Sequence, residues 1–403
     1  MRISTNMIFE QGVAGMQRQQ SALLKTQQQI AADRRILTPS DDPIAAAQAL
    51  QITQSNDINT QFRVNRDHGQ AQLQLTETSL TQAIDLVQTL RETAVAAGNG
   101  GLTDADRATL AQDVSSVLEQ LIGVANATDA DGKYLFAGYQ GTTLPFQRSA
   151  GAVQYAGDDG ERFMQAGASR QIAVNIPGAT AFSRITTGNG TFNWSASATN
   201  TGTGSIGPGS VTNRTLVTGH TYQIAFAVGA GGTTYSVLDT TAATTVLSAQ
   251  PYDPAGTSIA FDGLTVEVEG GPANGDTFGI APSIDQSVFA TAQNLITVLN
   301  ASGSTAAARA QLTTGLGVAI GNLDNALDKL NEQRSVVGTR LREVDTLNSV
   351  GDELGVQYQA ARSRLEGLDL VKAISDLNQQ TIGLAAAQQS FAQISQQTLF
   401  DFL

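Results

Sequence analysis

Proline is confined to one stretch of this 403-residue chain. Seven of its nine prolines lie between Pro145 and Pro282, none occurs from Ile44 to Leu144, and none follows Pro282. Of the 40 glycines, 22 fall within residues 141–282. Proline inside a helix removes a hydrogen bond and clashes with the preceding turn. Long helices can therefore form only in the flanks, while the Gly/Pro/Thr-rich middle favours short strands and turns. The expected fold class is α+β and multidomain. The two chain ends build a long antiparallel, coiled-coil-like helical bundle, and a β-rich domain is inserted between them. The expected divisions are an N-terminal helical assembly segment (1–52), the two halves of a helical rod (53–140 and 283–365), the inserted β-rich domain (141–282) and a C-terminal helical assembly segment (366–403).

The flanks carry heptad spacing. Leu316, Ile320, Leu323, Leu327, Leu330, Arg334, Val337, Leu341 and Val344 form one seam, with eight of nine positions apolar. Leu110, Val114, Val117, Leu121, Val124 and Thr128 form a second, and Leu73, Leu80, Ile84, Val87 and Ala94 a third. A 3-4 spacing places these residues on one helical stripe, which needs a partner helix.

The extreme ends keep the period but weaken the seam. Phe9, Val13, Met16, Leu23 and Ile30 alternate with Gln20 and Gln27. Leu370, Ile374, Leu377, Leu384 and Phe391 alternate with Thr381 and Gln388. Such seams bury too little to offset the ordering entropy of an isolated pair. Both ends are expected to be poorly ordered in the free chain and to fold in an assembly. These two stripes, with the apolar tail residues Leu399 and Phe400, are the candidate assembly interface.

In the middle, Tyr222, Ile224, Phe226 and Val228 alternate, then Gly229–Gly232 turns the chain into Thr233, Tyr235 and Val237. Leu264, Val266 and Val268 alternate with polar residues after the hairpin dipeptide Asp262-Gly263. Ile172, Val174 and Ile176 read as a strand closed by Pro177-Gly178. The Thr/Ser/Asn/Gly-rich stretch from Thr186 to Gly209 reads as exposed loop.

Composition excludes several functions. Net charge is −13, with 23 Lys+Arg against 36 Asp+Glu. A nucleic-acid partner would need a basic stripe. No cysteine and two separated histidines argue against a structural metal site or a thiol enzyme. No run of 18 apolar residues spans a membrane, and the N-terminus lacks the apolar core of a Sec-type signal.

Tempting motifs fail on context. Gly202-Thr203-Gly204-Ser205-Ile206-Gly207 has the dinucleotide spacing but no strand before it and Pro208 after it. Asp129-Ala130-Asp131-Gly132 lacks the bidentate Glu of a calcium loop, since Gln140 stands at the twelfth position. Asp42 before Pro43 fits a helix N-cap with proline at the first helical position. Asp104 and Asp106 fit first-turn charges. His68 reads as a solvated helix residue, and His220 begins a strand. No catalytic residue, metal or cofactor is expected.

Residues 34–49, Arg34-Arg35-Ile36-Leu37-Thr38-Pro39-Ser40-Asp41-Asp42-Pro43 and the Ile44-Ala45-Ala46-Ala47-Gln48-Ala49 that follows, carry a resemblance. So do the opening Met1-Arg2-Ile3-Ser4-Thr5, the segments Ala97–Gly100, Leu102–Arg107 and Asp131–Gly138, and the closing Gln396–Leu403. Together they resemble the bacterial flagellin superfamily, and within it the hook–filament junction branch of third hook-associated proteins. Pro39, Ser40, Asp41, Asp42 and Pro43 are the family signature. The resemblance covers residues 1–146 and 283–403. One departure is Asp33, which stands where such proteins usually place glycine before the basic pair.

The resemblance implies a secreted, extracellular structural protein, exported by the flagellar type III apparatus and bound by an export chaperone. It implies partners in the first hook-associated protein, in flagellin and in copies of the chain itself in a helical ring. Terminal helices would line the inner tube and the β domain would face outwards. The alternative readings are a flagellin filament subunit, disfavoured by the Pro39/Pro43 bracket, and a surface adhesin built on the β middle.

Overall fold

A computed structural model describes residues 5–149 and 151–396. Six α-helices carry the flanks: α1 (Thr5–Ala32), α2 (Pro43–Ala97), α3 (Asp104–Ala125), α4 (Val288–Asn300), α5 (Ala306–Glu366) and α6 (Leu370–Gln396). The chain divides into two compact units. One comprises Met1–Val64 with Thr346–Leu403, the other Asn65–Asp345.

In the larger unit α2 and α5 run antiparallel. Gln70 bonds Asp345 at 3.0 Å, Arg334 pairs with Glu77 at 4.0 Å, and Arg91 pairs with Asp324 at 2.5 Å. Helix α3 opens with a capping box in which Thr103 and Asp106 satisfy each other's backbone N–H groups. It packs along α4. Arg107, buried in α3, donates to the Leu102 carbonyl at 3.0 Å and pairs with Asp104, which also accepts from Gly303 N–H at 3.1 Å. The loops before α3 and before α5 are thereby tied together.

The seams lie one residue from their expected places at every second position. In α5 the buried residues along the seam are Leu316, Ala319, Leu323, Ala326, Leu330, Gln333, Val337 and Val344. Ile320, Leu327 and Leu341 are only half-buried, and Arg334 is exposed. In α3 they are Arg107, Ala111, Val114, Leu118, Leu121 and Ala125, while Leu110, Val117 and Val124 flank them. Most of the neighbouring positions are apolar too, so the pattern alone does not choose between them. Ala319, Ala326, Ala111 and Ala125 take inner positions, and so do Leu118 and Gln333. In α2 the core residues are Leu73, Thr76, Leu80, Ala83, Val87, Leu90 and Ala94, with Ile84 half-buried.

The middle of the chain contributes to two separate cores. The hairpins β1 (Phe146–Ser149)/β2 (Ala152–Tyr155) and β3 (Phe163–Gly167)/β4 (Arg170–Ala173), with a π-helical turn at Ala179–Ser183, lie against the helices. Phe146 stacks on Phe289 of α4 at 4.9 Å between centroids and meets Phe182 edge-on at 5.6 Å. Arg340 of α5 donates to Asn175 O at 2.9 Å and pairs with Glu161 at 2.8 Å. The strand read at Ile172–Ile176 ends at Ala173 in the ladder, although Val174 N–H still reaches Arg162 O.

The second core is a β-sandwich. After β5 (Ile185–Thr186) come β6 (Phe192–Ala196), β7 (Ser205–Ile206), β8 (Ser210–Val211), β9 (Tyr222–Gly229), β10 (Gly232–Asp239), β11 (Thr244–Pro251), β12 (Thr257–Phe261), β13 (Leu264–Glu269) and β14 (Thr277–Pro282). Then β15 (Asp285–Gln286) pairs back on β5. One sheet has the order β11-β10-β9-β14-β6; the other places β13 between β12 and the short β7 and β8. Trp194, Tyr222, Ile224, Phe226 and Phe278 from the first meet Ile259, Phe261, Val266 and Val268 from the second. Burying such side chains contributes about 1.5–3 kcal/mol each. The β9/β10 and β12/β13 hairpins form where alternation places them. Asp262 (φ 43°) and Gly263 (φ 76°) supply the positive-φ pair that a tight hairpin turn requires.

Two expectations are corrected. Thr186–Gly209 is not all exposed loop, because β6 lies within it with Phe192 and Trp194 buried. Its alternation of Phe192, Trp194 and Ala196 with polar neighbours is hidden by a Thr/Ser/Asn-rich composition. The chain ends, expected without order in the free molecule, are helices α1 and α6 paired with each other. Small residues let them approach closely: a Cβ on Gly12 would lie 2.9 Å from the Phe391 ring.

Candidate assembly site

The candidate site lies in the smaller unit. Phe9 and Phe391 pack with ring centroids 4.8 Å apart, tilted by 53°, and Gln19 faces Gly383 further along, so α1 and α6 run antiparallel. Val13, Met16, Leu23 and Ile30 of the expected N-terminal stripe are half-buried. Leu377, Leu384 and Phe391 of the C-terminal stripe are half-buried too. Phe9 stays 52 % exposed, Leu370 44 % and Ile374 49 %. Leu399 and Phe400 lie outside the described residues.

Pairing therefore uses only part of the apolar surface. Val371 is 82 % exposed and Ile382 71 %. They stand at i and i+11 on one face of α6, turned away from the Leu377–Leu384 stripe, with Ile374 between the two faces. The single seam in the sequence reading passed over Val371 and Ile382. The two are eleven residues apart, three helical turns, a spacing that reading one seam at 3-4 intervals does not mark. Leu24 and Met7 of α1 are likewise about half exposed.

The signature Pro39-Ser40-Asp41-Asp42-Pro43 forms a clasp between α1, α2 and the end of α5. Helix α1 closes in a Schellman arrangement: Arg34 N–H reaches Gln29 O at 3.1 Å and Asp33 N–H reaches Ile30 O at 3.3 Å. Asp33 takes the left-handed conformation there (φ 50°). Asp41 accepts from the backbone N–H groups of Leu37 at 3.0 Å and Thr38 at 2.9 Å, and pairs with Lys25 of α1 at 2.6 Å. Those bonds, the Lys25 one foremost, hold its carboxyl far below the usual carboxylate range.

Asp42 caps α2 as expected, accepting from Ala45 N–H at 3.0 Å, with Pro43 at the first helical position. That backbone bond, and the Arg35 guanidinium 3.3 Å away, lower its pKa despite partial desolvation. Thr38 and Ser40 hydroxyls share a hydrogen bond of 2.8 Å. Arg35 then reaches across. Its backbone N–H donates to Glu366 O at 2.7 Å and its guanidinium to Leu365 O at 2.8 Å, while Arg34 bridges to Gly367. Lys25 and Arg35 were missed as partners of the signature, because one reaches Asp41 from a separate helix and the other also bonds distant backbone.

The arrangement holds and orients helices. Among the described residues no cluster of His, Cys, Asp and Glu could hold a metal ion, and no helix is long and apolar enough to cross a membrane.

Residues 3–141 match the family described as the bacterial flagellin N-terminal helical region. Residues 195–282 match the D2-like domain of flagellar hook-associated protein 1. The flagellar hook-associated protein 3 of Salmonella typhimurium is 38 % identical over 186 residues, 46 % of this chain; the matched stretch spans 58 % of that relative's length. The crystal structure of the flagellar junction protein FlgL from Legionella pneumophila superposes with a TM-score of 0.73 at 32 % identity, covering 79 % of this chain and 100 % of that one. FlgL from Xanthomonas campestris gives 0.72 at 30 % identity, with 77 % and 99 % covered. With identity above 30 % across the whole of a solved junction protein, this chain belongs to the flagellar junction-protein family, that of hook-associated protein 3.

Proposed function

We propose that the chain is a structural, non-enzymatic subunit of the extracellular bacterial flagellum. It joins the hook, through the first hook-associated protein, to the flagellin filament. Copies assemble head-to-tail in a helical ring, a heterologous contact that repeats without two-fold closure. The observation that carries this reading is the α1/α6 pair, whose outer face leaves Phe9, Val371, Ile374 and Ile382 uncovered in a member of this family. Covering each such side chain contributes about 1.5–3 kcal/mol. The interface residues are Phe9, Val13, Met16, Leu23, Ile30, Leu370, Ile374, Leu377, Leu384 and Phe391, with the tail residues Leu399 and Phe400. Before assembly the same apolar C-terminal helix is the segment for an export chaperone to cover.

Immuno-electron microscopy of native flagella, with antibody against the sandwich, tests the reading. A short band at the distal end of the hook is expected. Label along the whole filament would make the chain a filament subunit, and its absence from flagella would overturn the assignment.

A further inference from the structure

We propose that Asn99 converts itself to aspartate and isoaspartate, without an enzyme, by attack of the Gly100 backbone nitrogen on the Asn99 carboxamide. The nitrogen bonds to Cγ. Nδ2 leaves as ammonia, taking up the proton that the Gly100 N–H gives up, and a five-membered imide results. Water then adds to one of the two imide carbonyls and opens the ring. Opening at Cγ leaves an ordinary aspartate; opening at the main-chain carbon routes the backbone through the side chain as isoaspartate. No electrons are gained or lost, and water is the only other reactant.

Asparagine precedes glycine at Asn99-Gly100, Asn189-Gly190 and Asn274-Gly275, and all six residues are exposed. Glycine hinders the attack least, so local sequence favours all three pairs equally. The fold separates them. Gly190 N–H donates to Thr187 O at 3.2 Å, and Gly275 N–H to Phe226 O at 2.9 Å. Asn189 also ties its own amide to Gly209 O at 2.9 Å, and Asn274 Oδ1 accepts from Val228 N–H at 3.1 Å. Neither the Gly100 N–H nor Asn99 Nδ2 has a hydrogen-bond partner among the described residues. The turn is the reason: Leu102 N–H closes it on Asn99 O at 3.1 Å, which leaves the N–H of its second residue outside the bonding. Gly101 N–H donates to Asn99 Oδ1 at 3.1 Å, the oxygen on which negative charge develops as the nitrogen adds. Asn189 Oδ1 has like donors in Thr191 and Phe192, so the free nucleophile is what sets Asn99 apart. A Cβ on Gly100 would meet nothing within 4 Å, and glycine also stands at 98 and 101, so the loop has room to turn the nitrogen onto Cγ. The new carboxylate lies just past the C-terminus of α2, where the helix dipole disfavours it. Because ammonia is lost, the change runs one way and accumulates with the age of an extracellular molecule.

The test incubates full-length native protein in mildly alkaline buffer and digests samples with trypsin. Cleavage after Arg91 and Arg107 isolates residues 92–107, in which Asn99 is the only asparagine. Mass spectrometry should show the gain that exchanging an amide NH2 for OH brings, in two chromatographic peaks of equal mass, aspartate and isoaspartate. Conversion at Asn99 should outpace that at Asn189 and Asn274 by about ten-fold or more, since the two held sites react only on local opening. In urea the three rates should converge. Gly100 does not take a left-handed backbone, so Gly100→Val should keep the unfolding midpoint. Its branched side chain crowds the nitrogen, and the conversion at 99 should be lost on the same timescale. Five outcomes would each overturn the proposal: Asn189 or Asn274 converting as fast as Asn99 in the native chain, a single aspartate peak, a native Asn99 that stays intact while the urea-treated chain converts, a gap that persists in urea, or undiminished conversion in Gly100→Val.

Discussion

Ser283 donates its backbone N–H to the carbonyl of Thr191 at 3.0 Å, so the chain leaves the sandwich where it came in. The next pair inwards, Phe192 and Pro282, stand opposite each other in register. Joining 191 to 283 through two glycines should therefore remove the sandwich and leave the helices folded. Deleting 141–282 should not, because it also removes Phe146 and Phe182 from the core around Phe289. Losing such a buried ring costs about 3–5 kcal/mol. Thermal unfolding followed by circular dichroism should show one cooperative helical transition for the first deletion and a broad or absent one for the second.

Asp33 occupies a left-handed position with an L side chain, at φ 50°. Left-handed backbone costs an L residue about 1–2 kcal/mol, less for Asp than for most. Asp33→Gly should stabilise the end of α1 by about 0.5–1 kcal/mol, and Asp33→Val should destabilise it by more. Hydrogen exchange across residues 26–36 would read both changes.

The pKa of Asp41 is depressed in the folded chain by Lys25 and two backbone N–H groups. Its stabilising contribution is fully present above the unfolded value, about 3.9, and is lost as pH falls from there through the folded value. Asp41→Asn should thus protect α1 less than the native residue does at pH 7, with the two proteins converging on acidification below about pH 4. Exchange rates in α1 measured for both against pH test this. A gap that does not narrow as pH falls from about 4 towards 2 would sink it.

Val371 and Ile382 are exposed, so Val371→Ser and Ile382→Ser should change the stability of the isolated chain by about 0.5 kcal/mol or less. If their face of α6 is covered on assembly, each substitution should weaken incorporation by about ten-fold or more, from the 1.5–3 kcal/mol of lost burial. Counting flagella that shed their filaments in strains carrying each variant gives the answer. Shedding at the native rate would place the interface on another face.

The helical flanks were legible because proline is absent from them, and the strands around Tyr222 and Val266 because their alternation is strict. The seam register was not. Ile320 and Ala319 both satisfy a periodic pattern, and nothing local in the sequence says that Ala319 is the one buried. Strand β6 escaped because five residues of alternation sit inside a long polar stretch. In the candidate assembly site, Asp42 and Pro43 announced a cap through local chemistry. Lys25, 16 positions before Asp41, and Arg35, 330 positions before Leu365, left no local trace.

Arg35 grips α5 by main-chain oxygens alone, those of Leu365 and Glu366. Carbonyls are the same whatever side chain follows them. Substitutions at 365 and 366 leave these two acceptors in place, whereas lysine in place of Arg35 would lose the planar fork that pairs Asp42 while reaching Leu365. Across relatives, variation should therefore run freely on the α5 side of this contact and stall on the other, leaving no correlated pair for a sequence comparison to detect.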